Sequence, residues 1–254
     1  MPSRARCATT RGGCSTRRCC GCGSRWSESI LNNRPALLLD LDGTLTDSVY
    51  QHALAWRKAL ELGGINLSVW RIHRRIGMSG GLLAESLARE VGRELSEKEA
   101  AKVKAAHARL FKTQIRDVRL LPGAKELLRH LTKAKVPWAI ATSGALHSAR
   151  PLLDLVDPPA GVPIISRDDV EHAKPNPDLW LAAAARLSVP IESAIAVGDS
   201  VWDLLAARRA RALGVGLLSG GYGAEELERA GAYRVYEDPA DLLLHIDELG
   251  VRAA

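Results

Sequence analysis

The chain has 254 residues, 46% hydrophobic and 25% charged, a globular composition with enough apolar content for a sizeable core, which excludes disorder throughout. No run approaches the roughly 18 apolar residues of a membrane span, and the first thirty residues lack the apolar stretch of a secretory signal, so a soluble cytoplasmic protein is the expectation. The formal charge of +6 belongs to residues 1–34, where seven arginines face only Glu28; from Pro35 onward 28 basic residues balance 28 acidic ones, which argues against a nucleic-acid partner.

Residues 1–34 read as a disordered basic tail. They are rich in Gly, Ser and Arg, hold all five cysteines (Cys7, Cys14, Cys19, Cys20, Cys22), and carry too little apolar surface to offset the entropy of ordering. An Arg-rich, acid-poor segment also suits organelle targeting, and the cysteines a metal site, although Cys19-Cys20-x-Cys22 lacks the paired C-x2-C spacing of a zinc ribbon. The remaining chain is cysteine-free, so its core relies on no disulfide.

From Pro35 short apolar runs alternate with amphipathic stretches, the pattern of an α/β fold. Ala36–Leu41, Trp138–Thr142, Pro163–Ser166 and Ala194–Gly198 read as strands, with continuous apolar runs suited to a parallel sheet covered on both faces. Leu127, Leu128 and Leu131 after Pro122-Gly123, and Trp180, Ala183, Ala184 and Leu187 after Pro177, have helical spacing and read as core. Between Thr46 and about Arg119 the alternation breaks. Four helical patterns stand there, at 48–62, 67–75, 80–91 and 96–112, without a strand, the last opening on the capping box Ser96-Glu97-Lys98-Glu99. The expected fold is a Rossmann-like open parallel sheet with helices on both faces, built from 35–47 and 118–254, with an all-helical domain inserted at 48–117. Ligands of such sheets bind beyond the carboxyl ends of the strands.

The strongest chemical signal is Asp40-Leu41-Asp42-Gly43-Thr44-Leu45-Thr46. Carboxylates at i and i+2 leaving a strand project to one side. Two acids held together at a buried strand end repel each other, an arrangement tolerated where a cation or a reaction needs them. Thr142-Ser143 closes the second run, Lys174 lies in Ala173-Lys174-Pro175-Asn176-Pro177-Asp178, and Gly198-Asp199-Ser200-Val201-Trp202-Asp203 closes the fourth. In this order the four stretches resemble the motifs of the haloacid dehalogenase superfamily of phosphohydrolases, a resemblance that covers 36 to about 249. One departure is Ala173, where relatives often carry Gly before the lysine.

The resemblance implies Asp40 as nucleophile and Asp42 as general acid and base. It implies Thr142, Ser143 and Lys174 at the phosphate, and Mg2+ held by Asp40, the Asp42 carbonyl and Asp199. Asp203, one helical turn beyond Asp199, reads as orienting Asp199 or Lys174 rather than binding metal directly. A cation is physically required: an anionic nucleophile 4 Å from a phosphate dianion meets about 4 kcal/mol of repulsion per charge pair at an effective dielectric of 20, about 8 in all. Dehalogenases of the superfamily lack the second aspartate, so Asp42 marks the phosphohydrolase version.

The helical insert resembles the family's cap. Asp47 to Trp56 is similar to phosphoglycolate-phosphatase-like members and to β-phosphoglucomutase, which suggests His52 as a cap contact to the site. The run Trp70 to Gly81, with Arg75, sets basic groups before a Gly-rich loop and is the candidate for substrate selection. The function expected is Mg2+-dependent hydrolysis of a small phosphorylated metabolite through an aspartyl-phosphate. A sugar phosphomutase is the alternative. A phospho-accepting receiver domain shares an Asp, a Thr or Ser, a Lys and Mg2+ on a parallel sheet, but the insert and Asp42 argue against it, and no motif is missing as a catalytically dead binding module would require. The substrate and the oligomeric state are not legible at this level.

Overall fold

A computed structural model of the chain describes residues 35–251; the readings for the tail at 1–34 lie outside the described residues. The order of elements is β1 (Ala36–Leu39), β2 (Thr46–Asp47), α1 (Val49–Leu62), α2 (Val69–His73), α3 (Gly80–Glu90), α4 (Glu97–Gln114), β3 (Arg119–Leu120), α5 (Ala124–Lys133), β4 (Trp138–Ala141), α6 (Leu146–Val156) and β5 (Ile164–Ile165). There follow α7 (Asp178–Arg186), β6 (Ala194–Gly198), α8 (Val201–Ala210), β7 (Leu213–Leu217), α9 (Ala224–Ala230), β8 (Ala232–Tyr236) and α10 (Pro239–Leu244). Six strands form one parallel sheet in the order β5-β4-β1-β6-β7-β8.

The pleat sends alternate residues of each strand to opposite faces. From β1, Leu37 and Leu39 join Leu127, Leu128 and Leu131 of α5 and Leu152 and Leu153 of α6 in one core. Ala36 and Leu38 face the other way, against Trp180, Ala183 and Ala184 of α7 and Ala206 and Ala207 of α8. Burying a Leu is worth roughly 1.5–3 kcal/mol relative to exposing it, so strands apolar on both sides are stable only when helices cover both faces.

The four expected helices of the insert are α1 to α4. They enclose a core of their own, with Ala53, Trp56, Leu60, Ile72, Leu83, Leu87 and Val103 buried. Ser96 caps α4 as expected: its hydroxyl accepts from the Glu99 backbone and the Glu99 carboxylate accepts from the Ser96 backbone.

Three features depart from the sequence reading. The strands at 36–41, 138–142 and 163–166 are shorter than expected: β1 ends at Leu39, β4 at Ala141, and β5 is Ile164–Ile165 alone. Antiparallel β2 and β3 pair Thr46 with Leu120 and Asp47 with Arg119 at the two ends of the insert; two residues are too few to show periodicity. The edge strand β8 carries exposed Tyr233 and Arg234 and so lacks the apolar signature of a central strand. Among the described residues no helix is long and apolar enough to cross a membrane.

Candidate active site

The chain runs from β1 to β4 and β5 on one side, then crosses back to β6, β7 and β8 on the other, so β1 and β6 meet where the winding reverses. Crevices of this kind, beyond the carboxyl ends of the strands, are where open parallel sheets bind ligands. Asp40 follows β1 directly and its N–H still donates to Val197 O at 2.9 Å. Thr142 follows β4, with its N–H on Ile165 O at 2.9 Å, and Asp199 follows β6. The register across β1, β4 and β6 thereby brings together residues about a hundred and sixty positions apart.

Lys174 is the cationic centre of this cluster. Fully buried, it donates to Asp40 Oδ1 and to the carbonyl of Ala141 at 3.0 Å, and its Nζ lies 2.7 Å from Asp203 Oδ1 and 4.4 Å from the centre of the Trp180 ring. Burial works against its charge, but Asp203 and Asp40 outweigh burial and hold the ammonium above its ordinary range. Asp203 is itself fixed by the start of α8, where its Oδ2 accepts from Ser200 N–H at 3.2 Å and from the Ser200 hydroxyl.

Asp40, Asp199 and Asp203 each place an oxygen within 4.8 Å of the others. Three buried carboxylates against one ammonium leave two negative charges uncompensated. Burial, with Asp203 and Asp42 adding to it and Lys174 opposing, pushes Asp40 from its ordinary 3.8 up to about 7. Asp199 is raised well above its ordinary value by burial and then by Asp203 and Asp40. An all-oxygen donor set with excess negative charge suits a hard divalent cation. The Asp203 oxygens face Ser200 and Lys174, so Asp40 and Asp199 would be the better placed ligands of such a cation.

Asp199 lies between two glycines. Gly43, at φ +78°, adopts a backbone conformation that favours glycine, and a Cβ there would meet the Asp199 carboxylate and Val49. A Cβ on Gly220 would overlap Asp199 Oδ2. The loop bearing Gly220 is held by Ser219 Oγ, which donates to Gly43 O at 2.6 Å, and by His73 Nε2, 2.8 Å from Gly220 O. Gly220→Ala is therefore expected to displace Asp199 and, if this carboxylate set holds a divalent cation, to weaken that cation's affinity by about 10- to 100-fold, the range for lost support of a metal ligand, as read by calorimetric titration with Mg2+; unchanged affinity would separate Asp199 from any bound ion.

Asp42 lines the same cavity as Asp40 but is held separately. Its Oδ1 accepts from Ser48 Oγ at 2.6 Å and lies 3.0 Å from His52 Nε2. Burial opposes ionisation, yet the His52 ring and the hydrogen bonds from His52 and Ser48 outweigh it and leave Asp42 below its ordinary value. In the metal-free protein the two neighbouring carboxyls are thus driven apart, Asp40 toward its neutral form and Asp42 toward its ionised form.

A cavity of about 770 Å³ opens from these carboxylates toward the insert, within the range of small-molecule sites. The insert contributes His52, Trp56, His107 and the 76–83 segment; the α/β part contributes Ser143, Gly144, His147 and Arg167. Thr142 is fully buried and its Oγ1 accepts from Gly144 N–H at 3.0 Å. Ser143 Oγ donates to Gly77 O at 2.9 Å, tying the motif to the insert.

The run from Trp70 to Gly81 divides in two: Ile76 to Gly81 line the cavity, whereas its arginines do not. Arg74 pairs with Glu226, Arg71 with Glu90, and Arg75 donates to Ser86 Oγ at 3.0 Å with Glu90 at 3.6 Å. Arg75, expected as a cap contact, is therefore turned from the cavity toward Ser86 and Glu90, which only the fold brings near. Ser48, His107, Trp180 and Gly220 were not legible as site residues. Only Ser200 left a trace, as the first residue of a Ser-x-x-Asp capping pattern with Asp203.

Residues 35–211 match the family described as haloacid dehalogenase-like hydrolase. A solved hydrolase structure from Pseudomonas syringae is 51% identical with a TM-score of 0.82, covering 84% of this chain and 98% of that one. Hexitol phosphatase A of Escherichia coli (strain K12) is 33% identical over 174 residues, 64% of this chain and 73% of the relative. Phosphoglycolate phosphatase of Pseudomonas fluorescens is 33% identical over 181 residues, 68% of this chain and 65% of the relative. With motif order, sheet topology and helical insert all in agreement, the chain belongs to the haloacid dehalogenase-like hydrolases.

Proposed function

We propose that the chain is a Mg2+-dependent phosphatase that hydrolyses a small phosphomonoester through an aspartyl-phosphate on Asp40. The observation that carries this reading is the asymmetric holding of the two cavity carboxyls: Lys174 engages Oδ1 of Asp40, while Ser48 and His52 engage Oδ1 of Asp42. Oδ2 of each is then the oxygen that meets the substrate. Asp40 Oδ2 attacks phosphorus and the phosphorus–oxygen bond to the alcohol breaks. Asp42 gives a proton to the departing alkoxide, then takes one from the water that hydrolyses the acyl-phosphate, regenerating Asp40 and releasing phosphate. Lys174 and the Ser143 N–H offset charge on the transferring oxygens.

Asp40, Asp199 and the Asp42 carbonyl would hold the cation, which when bound keeps the carboxylates ionised and neutralises the phosphate. The names of the relatives and the cavity's mixture of Trp56, Met78, His147 and Arg167 support a metabolite with both apolar and polar surface. Phosphate release across polyol phosphates, sugar phosphates and phosphoglycolate, with Mg2+ and with chelator, tests the reading. Hexose-phosphate interconversion without phosphate release would replace it with the mutase.

Metal linkage gives a second expectation. A carboxyl raised from 3.8 to about 7 on folding binds its proton more tightly in the folded than in the unfolded state. Its favourable contribution to metal-free stability is thus present at low pH and lost as pH rises through that interval. The Tm of metal-free protein should fall between about pH 5 and about pH 7.5, and the Tm rise on adding Mg2+ should be larger at the higher pH. A Mg2+ effect that shrinks with rising pH would contradict the assignment of Asp40 as a ligand.

A further inference from the structure

The Asp199 carboxylate is placed from two sides. Thr44 Oγ1 donates to its Oδ1 at 3.2 Å, and the Gly220 backbone lies so close behind its Oδ2 that a Cβ on Gly220 would stand 1.9 Å from that oxygen. In a close-packed interior a displaced backbone displaces what rests on it, so the Gly220 peptide sets where Asp199 sits. That peptide is held in part by the insert. Its carbonyl meets Nε2 of His73, the last residue of α2, at 2.8 Å. A carbonyl oxygen only accepts, so His73 is the donor and its Nε2 carries the proton. The contact is buried and tight: Gly221 has φ +85°, and a Cβ there would meet His73 Nε2 at 3.1 Å.

The His73 ring is fixed in turn. It stacks on Tyr50 of α1 with centroids 5.2 Å apart and planes at 12°, and the Tyr222 ring lies 5.8 Å away. The next residue, Arg74, pairs with Glu226, and its carbonyl accepts from Tyr222 Oη at 3.0 Å and from Trp202 Nε1 at 3.1 Å. The turn that ends α2 thus grips both segments around Asp199, the first turn of α8 through Trp202 and the 218–222 loop through Gly220 and Tyr222. We propose that His73 is a positioning residue for Asp199: its Nε2–H fixes the Gly220 carbonyl, sets the glycine surface on which Asp199 Oδ2 rests, and so makes the cation affinity of the carboxylates depend on docking of the insert. The inference rests on the reading of Asp199 as a cation ligand. A packing role alone would require the ring between Tyr50 and Tyr222 but not its N–H.

His73→Phe keeps a ring in that place and removes the donor, whereas His73→Gln keeps an amide N–H. In calorimetric titration of the full chain with Mg2+, affinity should fall about tenfold in His73→Phe, the lower end of the range for lost support of a metal ligand, and recover most of the way in His73→Gln. A second readout needs no metal. The Gly221 N–H, which donates to Leu218 O at 2.9 Å within the same loop, should exchange with deuterium faster in metal-free His73→Phe than in the wild type or in His73→Gln. Wild-type affinity in His73→Phe overturns the proposal. So does a His73→Gln that binds as weakly as His73→Phe, since the N–H would then not be what matters. A wild type that takes up no Mg2+ refutes the cation reading of Asp199 instead, and exchange at Gly221 still decides whether His73 holds the loop.

Discussion

Asp40→Asn is expected to lower turnover by at least about 10⁴-fold, as loss of a nucleophile does elsewhere, and to abolish trapping of a phosphorylated chain by mass spectrometry. The substitution is nearly isosteric, and Asn retains an oxygen for the Lys174 hydrogen bond. Because the metal-free fold already raises the Asp40 pKa to about 7, the uncharged amide should leave the Tm at about pH 7.5 unchanged or higher. Loss of activity with retained stability isolates the chemistry from the fold. Asp42→Asn should behave differently. With a poor leaving group turnover should fall by about 10² to 10⁴, the contribution of one acid–base group. With p-nitrophenyl phosphate, whose leaving group needs little protonation, the phosphorylated chain should accumulate, because its hydrolysis still lacks a base. Normal turnover by Asp40→Asn would sink the mechanism; equal loss of formation and breakdown in Asp42→Asn would remove Asp42 from the acid–base role.

Lys174→Met is expected to have the largest effect on stability. Fully buried Lys174 answers Asp40 and Asp203 together, and removing one partner of a buried ion pair costs about 3–5 kcal/mol because the remaining charges are left uncompensated. Denaturant titration of metal-free protein at about pH 7.5 should show this loss. At about pH 5 it should be smaller, since the orphaned carboxylates can then take up protons. Removing Asp203 as well, in Lys174→Met/Asp203→Asn, should recover part of the stability, as neighbours in one network are not additive. A loss below about 1 kcal/mol for the single variant would mean that Lys174 behaves as a solvated surface charge, at odds with its burial.

Much of the architecture is readable without coordinates because it rests on local periodicity. The runs at Ala36, Trp138 and Ala194 announce buried parallel strands since both faces of each must meet helices. The insert shows itself as four amphipathic patterns, and α4 even declares its first turn through Ser96 and Glu99. Two-residue strands such as β2 and β3 carry no period to detect. The edge strand β8 is half solvated and does not look like its neighbours.

The site divides along the same physical line. Asp40 and Asp42 are adjacent in sequence and leave one strand, so their proximity is dictated by the chain itself, and the order of the motifs places Thr142, Lys174 and Asp199 near them through the regular winding of an α/β sheet. That His52 contacts Asp42 through one nitrogen and His107 through the other, that Arg75 turns to Glu90 instead of the cavity, and that Gly220 must lack a Cβ to admit Asp199 depends on pairings from about 10 to 55 residues apart that the fold brings together. Sequence by itself determined the sheet, the helical insert and the acidic motif, because each is set by neighbours along the chain. Only the tertiary structure decided which charges are committed to one another and which oxygens face the cavity, because a hydrogen bond requires two groups within about 3 Å, and no local pattern encodes a distance across a fold.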